Sequence, residues 1–338
     1  MPRMDVGNAI GPAFNHMVKV LFRPFSAAKW LALGFASLLA VGGGGGGSGN
    51  FNIPGGGDHG GTGMPDFGHW IAHYWPFLVV AFLALLALGL LISWICSVFN
   101  FVYMDQVVRS SGAIREPFHR LRRFGTSLFL WRLGFGLIAA LALAVLIAGP
   151  LLAAFLPGSG VPIAAKVIAV VWAIAVGLGF MFIMLVMEAL ANDFVSITMY
   201  ARGVGILKAW GILLPILRRN IGQTILYFLL LIAFGLGAMM VSLMALMLVG
   251  FVLLIPFGSV ALVAYLMATA AHVRMSAPVI AVIATYAMMA YLCLVYLVNC
   301  VTQPAIVFLQ SFSLIVLGQA DPSLVTIPMT SAPAPTEQ

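Results

Sequence analysis

The chain has 338 residues, 63% of them hydrophobic and 7% charged, with a mean hydropathy of +1.12 and a formal net charge of +7. That composition excludes a water-soluble globular domain of this length, so the surrounding solvent is lipid. Nucleic acid is excluded as a partner by where the cations fall. Fourteen of the sixteen basic residues sit in three segments, each directly preceding an apolar run.

In chain order, the N-terminus carries Asp5, Asn8, Asn15 and His16 before any apolar run. No small-residue cleavage site follows a compact apolar region, so the segment is expected to be retained. A weak apolar stretch begins at Trp30, and charge-free stretches then run from Phe67 to Met104, Leu133 to Ala165, Val167 to Met187, Asn220 to Val273 and Met275 to Ala320. A bilayer core about 30 Å thick takes roughly 20 residues of helix. Runs such as Val79 to Ile95 lack the alternation of a barrel strand. The fold class is therefore all-α, a polytopic transmembrane helical bundle.

The expected spans are residues 26–42, 72–103, 126–156, 162–190 and 222–250, with boundaries good to a few residues. Pro256 interrupts the run that starts at Asn220, making Phe257 to His272 a short span or a partly inserted helix. The final run from Ala277 breaks at Pro304, and the remainder to Gly318 is too short to cross again. Six spans are expected, and seven if the piece after Pro256 crosses fully. Residues 1–318 form one transmembrane domain, and the Ser, Thr, Ala and Pro-rich tail over 319–338 is expected to be disordered.

The three basic segments are Arg3, Lys19, Arg23 and Lys29; Arg109, Arg115, Arg120, Arg122, Arg123 and Arg132; and Arg202, Lys208, Arg218 and Arg219. Cations at the ends of spans mark the cytoplasmic side. The stretch from Val41 to Pro76 has no Lys or Arg and is expected to face outward. These features predict that the N-terminus is cytoplasmic.

A shift of 100 positions aligns Met4-Asp5 with Met104-Asp105, Arg23 with Arg123, and Leu33-Gly34-Phe35 with Leu133-Gly134-Phe135. A looser third copy opens at Asp193 and reaches Arg218-Arg219. The repeating unit is an acidic residue, a basic amphipathic stretch, an aromatic anchor and an apolar hairpin, over residues 5–103, 105–190 and 193–318. The amphipathic stretches are expected to lie in the interface as short helices. Arg23, Arg123 and Arg219 are the candidate contacts to anionic lipid headgroups.

Other candidates are fewer. Cys96, Cys293 and Cys300 lie in apolar runs, where a thiol behaves as a small hydrophobe, and no disulfide is expected. The loop over residues 42–68 is glycine-rich but lacks the strand, lysine and helix start of a phosphate cradle, so it reads as a flexible external linker. His69 and His73 share a helix face, and with Asp58, His59 or Asp66 they are the weak candidate for a metal. Arg132 and Glu188, near the ends of adjacent spans, are expected to form a structural ion pair, with a relay through Glu188 as the rival reading. Asn299, Thr302 and Gln303 beside Pro304 either line a broken helix or make interhelical hydrogen bonds. No H-E-x-x-H, no G-x-S-x-G and no buried carboxylate pair is present, so neither an enzyme nor a cofactor is expected.

The segment Asp193-Phe194-Val195 through Met199-Tyr200, with Ala209-Trp210, Leu217 and Tyr227, resembles the signature region of an uncharacterised bacterial integral membrane protein family. That family is similar to the membrane domain of some glycerophosphoryl diester phosphodiesterases. Trp30 to Phe35, the glycine-rich loop, and the ending Pro304, Val307-Phe308, Ser313-Leu314, Leu317 and Gln319 fit the same pattern. The resemblance implies six spans with both termini cytoplasmic. Ile197 and Gln310 depart from it, standing where a proline and an arginine are expected. The phosphodiesterase domain has no room in this chain, so the resemblance implies no activity. The function expected is non-enzymatic organisation of membrane lipids or partner membrane proteins, with a small transporter or channel as the alternative.

Overall fold

The computed structural model describes residues 5–42, 67–155, 162–271 and 276–324. The described elements are all helical: α1 (Ile10–Phe22), α2 (Ala27–Gly42), α3 (Phe67–Arg109), α4 (Arg115–Phe155), α5 (Ile163–Leu190), a π-helical turn (Ala191–Val195), α6 (Ser196–Arg202), α7 (Ile206–Arg219), α8 (Ile221–Ala270), α9 (Ala277–Val301) and α10 (Gln303–Ala320). Among the described residues, six helices are long and apolar enough to cross a membrane: those within Trp75–Arg109, Arg115–Phe155, Ile163–Arg202, Ile221–Ala270, Pro278–Val301 and Gln303–Ala320. By helix length and hydropathy this is a multi-pass membrane protein. Helix is the form such sequences take because it satisfies every backbone N–H and C=O within its own segment.

The helices run antiparallel in sequence. Phe101 of α3 meets Phe124 of α4, Arg132 of α4 meets Glu188 of α5, and Phe257 of α8 meets Tyr286 of α9. Polar backbone features end them. Gly203, at φ +65°, takes the left-handed conformation that closes α6, with its N–H donating to the Met199 carbonyl at 2.9 Å. Ser110, at φ 51°, turns the chain out of α3, and the Ser111 N–H returns to the Gln106 carbonyl at 3.1 Å.

The core lies at one end of the molecule, the end that carries the basic segments. It is built from α1, the last turns of α3, the first turns of α4, the π turn, α6, α7, the start of α8, and α10, with Phe101, Phe194, Tyr227, Phe312, Leu21 and Leu128 fully buried. Both ends of the described chain are there. The Asp5 N–H donates to Gln319 Oε1 at 3.1 Å, and Arg202 reaches Asp321 at 3.1 Å and Ser323. The Ser323 hydroxyl and amide, together with Arg202, hold the Asp321 carboxyl below the usual carboxylate range.

Away from the core the helices become arms. The most apolar 18-residue windows of the spans on α3, α4, α5, α8 and α9 are 0%, 11%, 6%, 11% and 0% buried, against 56% for α10. α3 has 43 residues and α8 has 50, lengths of about 64 Å and about 75 Å at 1.5 Å per residue. Both exceed the hydrocarbon thickness.

Four expectations change. Pro256 does not divide Asn220 to Val273: α8 passes through it unbroken, while α9 alongside donates the Tyr286 hydroxyl to the Phe257 carbonyl at 2.7 Å. A proline lacks the N–H that would bond the carbonyl four residues back, here Val252, and a long apolar helix tolerates the loss of that one bond. The run after Pro304 is a full 18-residue helix and the most buried of the six, rather than a leftover too short to cross. The basic stretch from Arg115 to Arg123 is not a separate interfacial helix but the first turns of α4, which continues through Gly125 into the span. Order also extends past 319: α10 runs to Ala320, a 3₁₀ turn follows at Pro322–Leu324, and Leu324 is buried. The rest of the tail and most of the glycine-rich loop lie outside the described residues.

Candidate functional site

The candidate site is assembled around the π turn that joins α5 to α6. A π turn inserts one extra residue into the helical register, so successive side chains face different neighbours than an α-helix would allow. Here Asn192 faces α3 and α4, while Asp193 faces α8.

On the first side, Arg132 Nη2 pairs with Glu188 Oε1 at 2.9 Å and also donates to Asn192 Oδ1. Arg132 Nη1 donates to Ser97 Oγ at 3.0 Å. Asn192 donates to Glu188 Oε1 at 3.1 Å and accepts from Asn100 Nδ2 at 3.0 Å. Arg132 is only 10% exposed and Glu188 29%, so the pair is shielded from water on most sides. The expected ion pair between these two residues is therefore present, joined by three polar residues of α3 and the π turn.

On the second side, the fully buried Tyr227 donates to Asp193 Oδ2 at 3.1 Å and meets Ser313 Oγ at 2.7 Å. Its ring sits between Phe194, with centroids 4.6 Å apart, and Phe312, at 5.5 Å. These contacts tie the π turn to α8 and α10.

A third cluster gathers on Asp105. Asp105, 1% exposed, receives Arg120 Nη2 at 2.6 Å, the Tyr200 hydroxyl at 2.5 Å and Arg109 Nε at 3.1 Å, all on Oδ1. Nearby, His16 contacts the Val107 carbonyl at 3.1 Å. Burial lowers the imidazole pKa, with Lys19 adding to the effect, so the ring is held neutral.

A family model described as "Family of unknown function (DUF7544)" matches residues 4–327. The chain belongs to DUF7544. The match spans every helix described above and all three polar clusters, but the family has no assigned role, so membership brings no substrate or reaction. No curated protein and no solved structure matches this DUF7544 chain.

The remaining candidate residues of the DUF7544 chain are placed as follows. Asn299 Nδ2 donates to the Gly34 carbonyl at 2.6 Å and to Ser37 Oγ at 2.7 Å, and Gln303 Nε2 donates to Ser37 Oγ at 2.5 Å. Of the two readings of these residues, interhelical hydrogen bonding to α2 is the one the geometry matches. Arg23, Arg123 and Arg219 are all exposed, on three different elements: just past α1, on α4, and at the last residue of α7. Arg123 lies over the Phe124 ring at 4.6 Å. His69 and His73 fall in the first turns of α3, but their side chains, like Asp58, His59 and Asp66, lie outside the described residues. Among the described residues, no three His, Cys, Asp or Glu side chains come close enough to hold a metal.

Sequence reasoning did not find Asn100, Ser97 or Asn192 as partners of the Arg132–Glu188 pair. The available signal was that two Asn residues stand in otherwise apolar helices, where an amide demands a partner. It missed the grip on Asp105 for a similar reason, since Arg109, Arg120 and Tyr200 come from three separate positions in the chain. Asp105→Asn keeps the shape but removes the charge shared by three donors. Hydrogen bonds to a charged group are each worth about 1.5–3 kcal/mol, so the variant is expected to lose about 2 kcal/mol. Thermal unfolding in detergent, compared with Glu116→Gln on the exposed side of Arg120, checks this; equal midpoints would refute it.

Proposed function

We propose that this protein is a non-enzymatic organiser of lipids or partner membrane proteins in a bacterial cytoplasmic membrane, with both termini and the basic end on the cytoplasmic side. The observation that carries the reading is the near-complete exposure of the arms. The apolar windows of five long helices are at most 11% buried, so their packing partners are supplied from outside the chain. Lipid tails or the helices of other membrane proteins are the surfaces that match them.

The basic end supports the orientation, because Lys and Arg concentrate next to anionic cytoplasmic leaflets. Exposed Arg23, Arg123 and Arg219 are assigned to anionic headgroups. Kinship with the membrane domain of glycerophosphoryl diester phosphodiesterases, drawn from Asp193 to Tyr200, Trp210 and Tyr227, belongs to the same proposal. It fits a chain that works on phospholipid surroundings without hydrolysing them.

The test is the Arg23→Gln, Arg123→Gln, Arg219→Gln variant in proteoliposomes of phosphatidylglycerol and phosphatidylcholine. The three cations should contribute about 1 kcal/mol each near an anionic surface, so enrichment of phosphatidylglycerol around the protein should fall severalfold. Unchanged enrichment would refute the headgroup assignment.

A transporter remains the second reading, favoured by one observation, the Arg132–Glu188 pair in the apolar part of the chain. A cysteine at Glu188 that reacts with a membrane-impermeant thiol reagent would support a hydrated path and displace the organiser reading.

A further inference from the structure

Most of the strongly held cations have named carboxylate partners: Arg109 and Arg120 on Asp105, Arg132 on Glu188, Arg202 on Asp321. Lys29, Arg115 and Arg122, like Lys19, Arg23, Lys208 and Arg218, have no carboxylate partner among the described residues. Among the described residues none of their side-chain nitrogens has a hydrogen-bond or ion-pair partner. Arg115 and Arg122 share a face of α4 with Phe118, and Lys29 lies beside Gly112 in the turn that precedes α4.

α2 and α4 both pack on α3, and the face of α3 between them, marked by Phe99, forms a groove. Its floor is aromatic. Phe35 of α2 meets Phe99 of α3 edge-on at 5.8 Å, Phe99 meets Phe118 of α4 at 5.8 Å, and Trp94 of α3 meets Phe118 at 6.4 Å. Arg115 and Arg122 stand three residues before and four residues after Phe118, on the same face of α4. Lys29 sits beside the turn just before α4: a Cβ on Gly112 would lie 3.2 Å from Lys29 Cα. A side chain there would crowd α2 by a few tenths of an ångström.

Above the floor, Phe99, Ile95, Ile92, Leu88 and Leu85 follow one another in steps of four and three along α3, so they form one stripe. Ile92, Leu88 and Leu85 are exposed. From Phe99 to Leu85 the stripe is about 21 Å long at 1.5 Å per residue, enough to accompany an acyl chain through the roughly 15 Å of one leaflet's hydrocarbon. The groove thus offers three unneutralised cations at one end and a continuous apolar track leading away from them.

We propose that this groove holds one anionic phospholipid, its phosphate between Lys29, Arg115 and Arg122 and an acyl chain along the α3 stripe. This deepens the lipid reading given above, on which it rests, but assigns it to a discrete site made of different residues. Three unpaired cations favour a lipid of net negative charge over a zwitterionic one, whose phosphodiester is the same but whose ammonium these cations repel.

The test is native mass spectrometry of the full chain released from nanodiscs containing equal amounts of phosphatidylglycerol and phosphatidylcholine. The wild-type chain is expected to retain a single phosphatidylglycerol. The Lys29→Gln, Arg115→Gln, Arg122→Gln variant is expected to lose that retention by roughly tenfold or more, while Phe35→Ala weakens it with every cation in place. The Arg23→Gln, Arg123→Gln, Arg219→Gln variant is expected to keep it. Wild-type retention in the groove variant, equal retention of phosphatidylcholine, or displacement by inorganic phosphate alone would overturn the proposal. Failure of the proposed function would read differently, as unchanged bulk enrichment of anionic lipid in the Arg23, Arg123 and Arg219 variant.

Discussion

Gly125→Ala is expected to destabilise the protein by about 3 kcal/mol, at the upper end of what overpacking a close contact costs. A Cβ at this position would sit 2.5 Å from Val98 Cα and 2.9 Å from Val98 N. Both are backbone atoms of α3, so no side-chain rotation relieves the clash, and α3 and α4 must move apart. That separation would also disturb the Phe101–Phe124 contact, with centroids at 6.1 Å, and the bond from Trp94 Nε1 to Thr126 Oγ1 at 2.9 Å. The control is Gly134→Ala on the same helix, where a new Cβ would meet nothing within 4 Å. That substitution is expected to be neutral or to stabilise slightly, since alanine favours helix over glycine by about 0.5–1 kcal/mol. Unfolding in mixed micelles, followed by far-ultraviolet circular dichroism, measures both. Equal stability of the two variants would show that the α3–α4 approach is looser than the structure has it.

The second large effect is expected at Arg132 and Glu188. Removing one member of a buried pair leaves the other charge without compensation, which costs about 3–5 kcal/mol. Arg132→Met and Glu188→Leu should each lose about 3 kcal/mol, since Glu188 keeps some contact with solvent and Asn192 still offers each survivor a hydrogen bond. The double variant should recover much of the loss, because two apolar side chains suit this position at least as well as an isolated charge. The coupling energy from the double-mutant cycle is the decisive quantity. A value near zero would mean that the pair contributes nothing to joining α4 and α5, and that Glu188 is held there for another reason.

Several features of this site are legible in the sequence. Arg132 and Glu188 were visible as a pair because charges are rare in these helices, and the two lie at the ends of adjacent spans. Asn299 and Gln303 were visible as polar residues that an apolar environment would force into partnership. Their actual partners were not visible, because Ser37 and the Gly34 carbonyl lie some 260 positions away in sequence. The α10 helix is the clearest case of misplacement. Its 18 residues read as a remainder after Pro304, yet its length suffices to carry Val307, Phe312, Leu314 and Leu317 into the core. A buried helix need only match the depth of its neighbours, whereas a span must match the bilayer. Composition alone does not distinguish the two.

By itself the sequence determined that the chain is helical, that it crosses a membrane several times, and that its cations gather at one end. Those properties follow from hydropathy and from the backbone's need for internal hydrogen bonds, which depend on local composition. The tertiary structure decided where the core lies, which helix is enclosed and which are left bare, and which cations are neutralised. Asp105 draws in Arg120, Arg109 and Tyr200, while Lys29, Arg115 and Arg122 are left around an aromatic groove. Such choices depend on which distant segments meet, and in a chain of near-uniform apolar helices that is settled by a few polar pairs and close glycine contacts, which hydropathy does not encode.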